Sequence, residues 1–185
     1  MKGFINLPIS FFFAVQISCP GPDWTLLERS CYYFKSEYID WIGGNTSCGQ
    51  LVENSHLVTI TSEEERLLVI DLVKRSLDPD ALAMSFIWIG GTDYFGEEGA
   101  FQWVTGESWN PSTDMWAPNQ PTDHLDENDD KDCIALTPLI EGDSNGGKFC
   151  DFWCYSYLVS VCEIEVRLLW KKGQNKTLTL FLLVL

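Results

Sequence analysis

Short apolar runs separated by polar residues make up most of the chain, and they predict a series of short strands. Runs rich in β-branched and aromatic residues are typical of strands, because such side chains pack well on a pleated surface. Runs of this kind lie at residues 31–34, 56–60, 86–90, 101–104, 133–136 and 157–162. Their distribution indicates strands in both halves of the molecule.

One segment, TSEEERLLVIDLVKRSLDP, has the pattern of an amphipathic helix. Ser62 is the expected N-cap, and Glu65, three residues later, completes a capping box. The apolar stripe consists of Leu67, Leu68, Val69, Ile70, Leu72, Val73 and Leu77. Asp78 and Pro79 are expected to end this helix.

A second, weaker helix is predicted over residues 40–52, where Gly43 and Gly44 each lower helix stability by about 1 kcal/mol relative to alanine. Residues 90–147 contain turn formers every few positions, which indicates a large loop-rich surface. The sequence shows no internal repeat, low-complexity linker or heptad run. The pattern therefore predicts a single mixed α+β domain.

Composition and charge narrow the choice of partners. The chain has 185 residues, of which 45% are hydrophobic, and a formal net charge of −15. This size and hydrophobicity allow a sizeable core. A strongly acidic chain repels phosphate groups, so we expect no nucleic acid partner.

The first 18 residues have the layout of a secretory signal peptide. Lys2 precedes an almost uninterrupted apolar run over residues 4–17, which the small residue Ser18 follows. A buried N-terminal strand is the alternative. The signal interpretation predicts a secreted, extracellular protein, in which the sequons at Asn45 and Asn175 are glycosylation sites.

Residues 166–185 form a C-terminal tail that the predicted domain does not account for. The apolar end of this tail, residues 178–185, is far shorter than the roughly 20 residues that a helix needs to span a bilayer. A lipid-anchor signal would need a longer tail and a polar spacer. We therefore expect no membrane span.

A series of motifs identifies a family. In chain order they are DWTLLERSCYYF, the helix cysteine Cys48, LVTITSEEE, WIGGTD, EGAFQWVTGESW, WAPNQP, DC and CYSYLVSVCE. Together they resemble the C-type lectin-like domain, in its long form with an N-terminal hairpin disulfide, and we assign the domain to residues 19–165. The resemblance implies an α+β double-loop fold stapled by disulfides, with two helices, short antiparallel sheets and a long ligand-binding loop.

Seven cysteines in an exported protein imply disulfides with one thiol left over. The resemblance implies the pairs Cys19–Cys31, Cys48–Cys162 and Cys133–Cys154. It leaves Cys150, which either forms an intermolecular disulfide or is buried as a small hydrophobic residue. The adjacent Asp151 is expected to raise the pKa of this thiol. We expect Trp88, Trp103, Trp109 and Trp116 to be core residues rather than ligands.

The resemblance also implies a principal calcium and sugar site, which is degenerate in this sequence. The family presents oxygen ligands around a cis-proline, a glutamate before the DC pair, and an Asn-Asp pair. The corresponding residues here are Gln120, Pro121, Thr122, Lys131, Cys150 and Asp151. Calcium prefers six to eight oxygen ligands, so a cation at 131 and sulfur at 150 weaken this site.

An auxiliary calcium site is implied beside the first. Its acidic positions correspond to Asp93, Glu97 or Glu98, Asp123 and Asp132, so calcium is expected there if it binds at all. In a different alignment of the acidic loop, Asp126 or Glu127 replaces the missing glutamate. The alternative is that this loop is simply a solvated acidic segment.

Motifs for catalysis are absent from the sequence, so we expect no enzyme. We expect a secreted recognition protein that binds a glycan or glycoprotein through the long loop with weakened or altered calcium dependence. The alternative is a metal-independent protein-binding module that acts as an oligomer linked through Cys150.

Overall fold

The structure, a computed structural model, describes residues 18–27, 29–122, 130–172 and 178–184. The helices in these ranges are α1 (Trp41–Leu51), α2 (Glu63–Ser76) and α3 (Pro79–Met84), with a 3-10 turn at Thr113–Met115. The strands are β1 (Thr25–Leu27), β2 (Ser30–Ile39), β3 (His56–Leu57), β4 (Ile87–Thr92), β5 (Gln102–Trp103), β6 (Cys133–Leu136), β7 (Phe149–Phe152), β8 (Leu158–Lys172) and β9 (Leu178–Val184).

Helix α2 begins at the predicted N-cap Ser62, but only half of the predicted capping box forms, because the Glu65 carboxylate accepts from the backbone N–H of Thr61 at 2.8 Å instead of that of Ser62. The Glu65 backbone N–H donates to Ser62 Oγ at 3.1 Å. Acidic residues in the first turn and basic residues in the last complement the helix dipole. The buried face is narrower than the predicted stripe, because Leu67 is 52% exposed.

The predicted helix near residue 40 is α1, whose N-cap Asp40 accepts a hydrogen bond from the Gly43 backbone N–H at 2.7 Å. Helix α3 was not predicted. Asp78 and Pro79 follow the end of α2, but they also start α3, because Asp78 Oδ1 accepts from the Ala81 backbone N–H at 2.9 Å. Proline suits the first turn of a helix, where its missing N–H would have no partner.

Strands β2 and β8 join the two ends of the domain in an antiparallel pair that runs from Ser30↔Glu165 to Ile39↔Leu158. The strand order is β1-β2-β8-β4-β6-β7, with β4 parallel to β8. Strands β3 and β9 also pair with β8, and β5 pairs with β4. The fold class is therefore α+β, as the sequence predicts.

Strand β8 continues without a break past residue 165. Its extension pairs with β9 in an antiparallel register from Val166↔Val184 to Lys172↔Leu178. Among the described residues, no helix has the length and apolar character to cross a membrane. Residues 1–17 of the predicted signal peptide lie outside the described residues.

Buried apolar side chains and disulfides hold these elements together. Trp88 and Trp103 are 0% and 3% exposed, and Trp109 and Trp116 pack partly buried against the same core. Disulfides join Cys19 to Cys31, Cys48 to Cys162 and Cys133 to Cys154, the pairs that the resemblance implies. Residues 93–132, between β4 and β6, are called the long loop below, and its residues 123–129 lie outside the described residues.

Candidate functional site

The long loop returns to the sheet beside β7, and this return brings the predicted principal-site residues together. The Ala117 backbone N–H donates to Phe149 O at 2.9 Å, and the Gln120 N–H donates to Ala117 O at 3.1 Å. The Gln120–Pro121 peptide is cis. Gln120, Pro121 and Thr122 therefore lie alongside Asp151 of β7.

Reciprocal hydrogen bonds attach this segment to β7. The Asp151 backbone N–H donates to Gln120 Oε1 at 3.1 Å. In return, Asp151 Oδ2 accepts from the Thr122 backbone N–H at 2.7 Å and from Thr122 Oγ1 at 3.0 Å. Asp151 is only 2% exposed, and a buried carboxylate is costly unless donors of this kind surround it.

Lys131 completes the group from the far end of the long loop. Its ammonium Nζ donates to Thr122 Oγ1 at 3.0 Å. The same Nζ lies 5.0 Å from the centre of the Trp153 ring, which is within the range of a cation–π contact. The hydroxyl of Thr122 thus accepts from an ammonium and donates to a carboxylate.

These residues do not fit a bound calcium ion at the principal site. Gln120 Oε1, Thr122 Oγ1 and Asp151 Oδ2 each accept a hydrogen bond from the protein. The position that corresponds to the family's glutamate holds a cation, and a cation beside a divalent ion is repelled. The position that corresponds to the asparagine, Cys150, offers sulfur, which calcium does not favour.

Cys150 is buried, with 3% of its surface exposed, and it forms no disulfide. Its Sγ donates to Ala135 O at 3.5 Å across the β6–β7 pair. Burial, and then the charge of Asp151, raise the pKa of this thiol to about 12. The geometry favours the buried-thiol alternative over the intermolecular disulfide.

The structure brings two of the predicted auxiliary calcium residues into contact through their backbones. The Asp93 N–H donates to Asp132 O at 3.1 Å, and the Asp93 carboxylate accepts from the Gly99 N–H at 2.7 Å, which closes the turn that carries Glu98. Asp123, Asp126 and Glu127 lie outside the described residues. Within the described ranges, no group of three or more His, Cys, Asp or Glu side chains is arranged to hold a metal ion.

An exposed aromatic turn follows β7, and it was not predicted as a surface feature. Trp153, Tyr155 and Tyr157 are 37%, 70% and 67% exposed, and a Ser156 N–H bond to Trp153 O at 2.9 Å closes the turn. Phe152, the preceding residue, instead packs against Phe86 with ring centres 4.7 Å apart. The signal in the sequence was the density of aromatic residues between Cys150 and Leu158.

A polar cavity of about 770 Å³ lies between β2, β3 and the start of α2. Its lining is rich in carboxylates, namely Glu64, Glu65, Glu107, Glu163 and Glu165. Glu163 is 6% exposed and accepts from the Thr59 N–H at 3.0 Å and the Thr59 hydroxyl at 2.9 Å. These bonds indicate that Glu163 has a structural role.

The glycosylation predictions stay untested. Asn175 lies outside the described residues. Asn45 lies within α1, and its Oδ1 accepts from the Leu57 backbone N–H at 3.2 Å. The amide of Asn45 is therefore partly committed to holding α1 against β3.

Comparisons with known proteins agree on one family. The model of the Lectin C-type domain matches residues 38–164. Rat asialoglycoprotein receptor 1 is 31% identical over 153 residues, which are 82% of this chain and 46% of the receptor. The beta subunit of the snaclec botrocetin from Bothrops jararaca is 34% identical over 147 residues, which are 80% of this chain and 98% of that protein. The chain thus spans about half the length of the receptors that it matches.

Solved structures show the same fold. The carbohydrate-recognition domain of mouse scavenger receptor C-type lectin aligns with a TM-score of 0.59 and 26% identity, over 80% of this chain and 96% of that one. A calcium-independent type II antifreeze protein aligns with a TM-score of 0.63 and 24% identity, over 82% and 97%. The second likeness shows the fold alone.

Proposed function

Because the chain belongs to the C-type lectin domain family, which consists of non-enzymatic binding proteins, we propose that it is a secreted recognition protein for carbohydrate or glycoprotein ligands. The ligand binds at the face where the long loop meets β7. The name of the asialoglycoprotein receptor supports a glycoprotein ligand, since that relative is 31% identical to this chain.

The observation that carries the proposal is the bonded group of Lys131, Thr122 and Asp151 beside the Trp153 ring. Binding sites for small ligands combine apolar or aromatic surface with a few oriented polar groups. Here Trp153 is 37% exposed, and Gln120, Thr122 and Lys131 are half-buried polar side chains. We call Gln120, Thr122, Lys131, Asp151 and Trp153 together the recognition face.

Weakened or altered calcium dependence follows from the same geometry. Gln120, Thr122 and Asp151 of the recognition face are hydrogen-bonded within the protein, and the ammonium of Lys131 repels a divalent ion at this position. Any bound calcium is expected at Asp93, Glu98, Asp123 and Asp132 instead. The fold is compatible with metal-free function, because an antifreeze protein described as calcium-independent shares it.

A second candidate is a metal-independent protein-binding module. The exposed turn with Trp153, Tyr155 and Tyr157 favours it, because tyrosine and tryptophan are enriched in protein interfaces. The burial of Cys150 argues against a covalent link through that residue. An oligomer of this kind would form through the aromatic turn.

A glycan array, run with calcium and with chelator, tests the proposal. We expect binding that the chelator reduces by less than about threefold, and that Trp153→Ala reduces by at least about fivefold, the effect of a contact worth 1 kcal/mol. Phe95→Ala is the matched control, because Phe95 is an exposed aromatic residue, at 72%, outside the recognition face.

Two results would contradict the proposal. Binding of a monosaccharide at millimolar affinity that the chelator abolishes would show that the principal site still uses calcium. Absence of glycan binding, together with self-association that Tyr155→Ala reduces, would favour the protein-binding candidate.

A further inference from the structure

We propose that the ammonium of Lys131 is the cation that assembles the recognition face, so that Lys131 positions Thr122 and Asp151 in place of a metal ion. The inference rests on the proposed function for the identity of this face. It goes further by assigning the positioning role to one residue and by explaining why calcium is not required there.

The main chain beside Lys131 is well fixed. Lys131 precedes Asp132, whose carbonyl accepts from Thr92 Oγ1 at 2.7 Å and from the Asp93 N–H at 3.1 Å. Strand β6 begins immediately afterwards, at Cys133, in the interior of the sheet. The Lys131 side chain therefore extends from a fixed point towards the returning long loop.

The tip of the side chain is fixed as well. Its Nζ is 3.0 Å from Thr122 Oγ1 and 5.0 Å from the centre of the Trp153 ring. A hydroxyl has one proton, and in Thr122 this proton is directed to Asp151 Oδ2 at 3.0 Å. The lone pairs of Thr122 Oγ1 are then left to face the ammonium, so the three groups form a chain from cation to hydroxyl to carboxylate.

This series of contacts, from ammonium to hydroxyl to carboxylate, stabilises the buried charge of Asp151. Asp151 is 2% exposed, and a buried carboxylate needs donors or a nearby positive charge. Two donors come from Thr122, and the ammonium polarises the hydroxyl that supplies one of them. Without Lys131, Thr122 would lose the charge-assisted bond that orients its hydroxyl.

The ordinary alternative is a surface lysine whose contact with Thr122 has no effect on the face. Conservative and charge-reversing variants separate the two cases. Lys131→Arg keeps a cation, Lys131→Met keeps the apolar stem without the charge, and Lys131→Glu supplies the carboxylate that a calcium ion prefers. If only the apolar stem of Lys131 matters, Lys131→Met should leave the recognition face unchanged, and Lys131→Glu should not make it depend on calcium.

The experiment records the backbone amide signal of Thr122 by NMR, and its hydrogen exchange, in the full chain with calcium and with chelator. In the native protein and in Lys131→Arg, the Thr122 amide should exchange slowly, at the same rate with calcium and with chelator. Lys131→Met should speed exchange of the Thr122 amide by about tenfold, as expected for the loss of one charge-assisted hydrogen bond. Calcium should restore slow exchange in Lys131→Glu and not in Lys131→Met.

Thr122→Val is the second variant, because it removes the hydroxyl that links the ammonium to the carboxylate. Its effect on hydrogen exchange of the Asp151 amide should not increase when Lys131→Met is added, since both changes break the same series of contacts from Lys131 to Asp151. The proposal is overturned if Lys131→Met leaves the exchange of Thr122 unchanged, if the two effects add, or if the chelator speeds exchange of the Thr122 amide in the native protein. These readouts use no glycan, so a failed glycan array with the expected NMR result removes the proposed function and leaves the positioning role of Lys131 intact.

Discussion

The thiol of Cys150 is neutral across the physiological pH range, because burial and the charge of Asp151 raise its pKa to about 12. The thiolate is the reactive form of cysteine. At pH 8 its fraction is about 1000-fold smaller than for a thiol with a pKa near 9, before any loss of access is counted. We therefore expect no measurable reaction of the native protein with a thiol reagent, and one reactive thiol after unfolding in guanidinium chloride.

Non-reducing electrophoresis of the purified protein provides the complementary measurement. A monomer is expected for the native chain and for Cys150→Ser, since the thiol is 3% exposed. A covalent dimer that disappears in Cys150→Ser would show that the side chain reaches the surface, and the buried-thiol interpretation would then be wrong.

Glu65 gives the fold a pH dependence whose direction follows from its surroundings. Burial raises the pKa of Glu65, as does the charge of Glu163, although hydrogen bonds from Thr61 and Tyr32 partly oppose the shift. A carboxyl whose pKa is raised in the folded state stabilises the fold most below its unfolded pKa. This contribution is lost as the pH rises through the folded pKa.

The variant Glu65→Gln removes this titration. We expect the unfolding free energy of the native protein, minus that of Glu65→Gln, to be larger at pH 4 than at pH 7 in urea denaturation. Glu64→Gln is the matched control for charge removal in the same helix turn, since Glu64 is exposed. A native-minus-variant difference that increases towards pH 7 would mean that the Thr61 and Tyr32 bonds outweigh burial.

At the scale of helices and strands, the sequence predicted the elements whose formation depends on neighbouring residues. The N-cap at Ser62 and the apolar run at residues 133–136 correspond to α2 and β6. Strand β7 was missed because its sequence, FCDF, has a charged residue and comes after the segment GGK. Its strand geometry comes from pairing with β6, in which Ile134 lies opposite Asp151, and pairing partners are not visible in a short window.

The structure brings together four residues of the predicted principal site, but their contacts were not predicted. The resemblance named Gln120, Thr122, Lys131 and Asp151. The bond from Lys131 to Thr122 joins residues nine positions apart in the sequence, and tertiary packing, not the local sequence, brings them together. The exposure of Trp153 was missed for the same reason, since tryptophan is usually buried.

Arg66 links helix α2 to the turn before β7. The guanidinium donates to both carboxylate oxygens of Glu63, at 2.6 and 2.7 Å, and to Gly147 O at 2.7 Å. Arg66 is 8% exposed, whereas the Glu63 side chain is 57% exposed. We expect Arg66→Met to lower the unfolding free energy by about 1.5–3 kcal/mol, because a buried carbonyl loses a charged donor.

The control for that prediction is Glu63→Gln, which removes the exposed ion pair and leaves the bond to Gly147 in place. It should cost about 0–1 kcal/mol in the same urea denaturation. Equal costs for the two variants would locate the stabilisation in the ion pair, contrary to the assignment to Gly147 O.

At the scale of the whole molecule, two disulfides have different roles: one mainly stabilises the fold, and the other mainly shapes the recognition face. The bond between Cys48 and Cys162 closes a separation of 114 residues and ties α1 to the central strand β8. The bond between Cys133 and Cys154 closes only 21 residues, but Asp151 and Trp153 lie between these cysteines. Loss of the longer link should therefore affect the whole fold, and loss of the shorter one should affect the site.

Paired Cys→Ala variants test this division. Loop-closure entropy predicts a loss of about 4.8 kcal/mol for the pair Cys48 and Cys162 and about 3.3 kcal/mol for the pair Cys133 and Cys154, so the first should unfold at clearly lower denaturant concentration. Under conditions where both variants remain folded, ligand binding and the NMR signal of the Thr122 amide should change more in the second, because Asp151 anchors Thr122 at 2.7 Å. If the first variant instead lost more ligand binding while still folded, the recognition face would depend on α1 and β8 rather than on the β6–β7 pair.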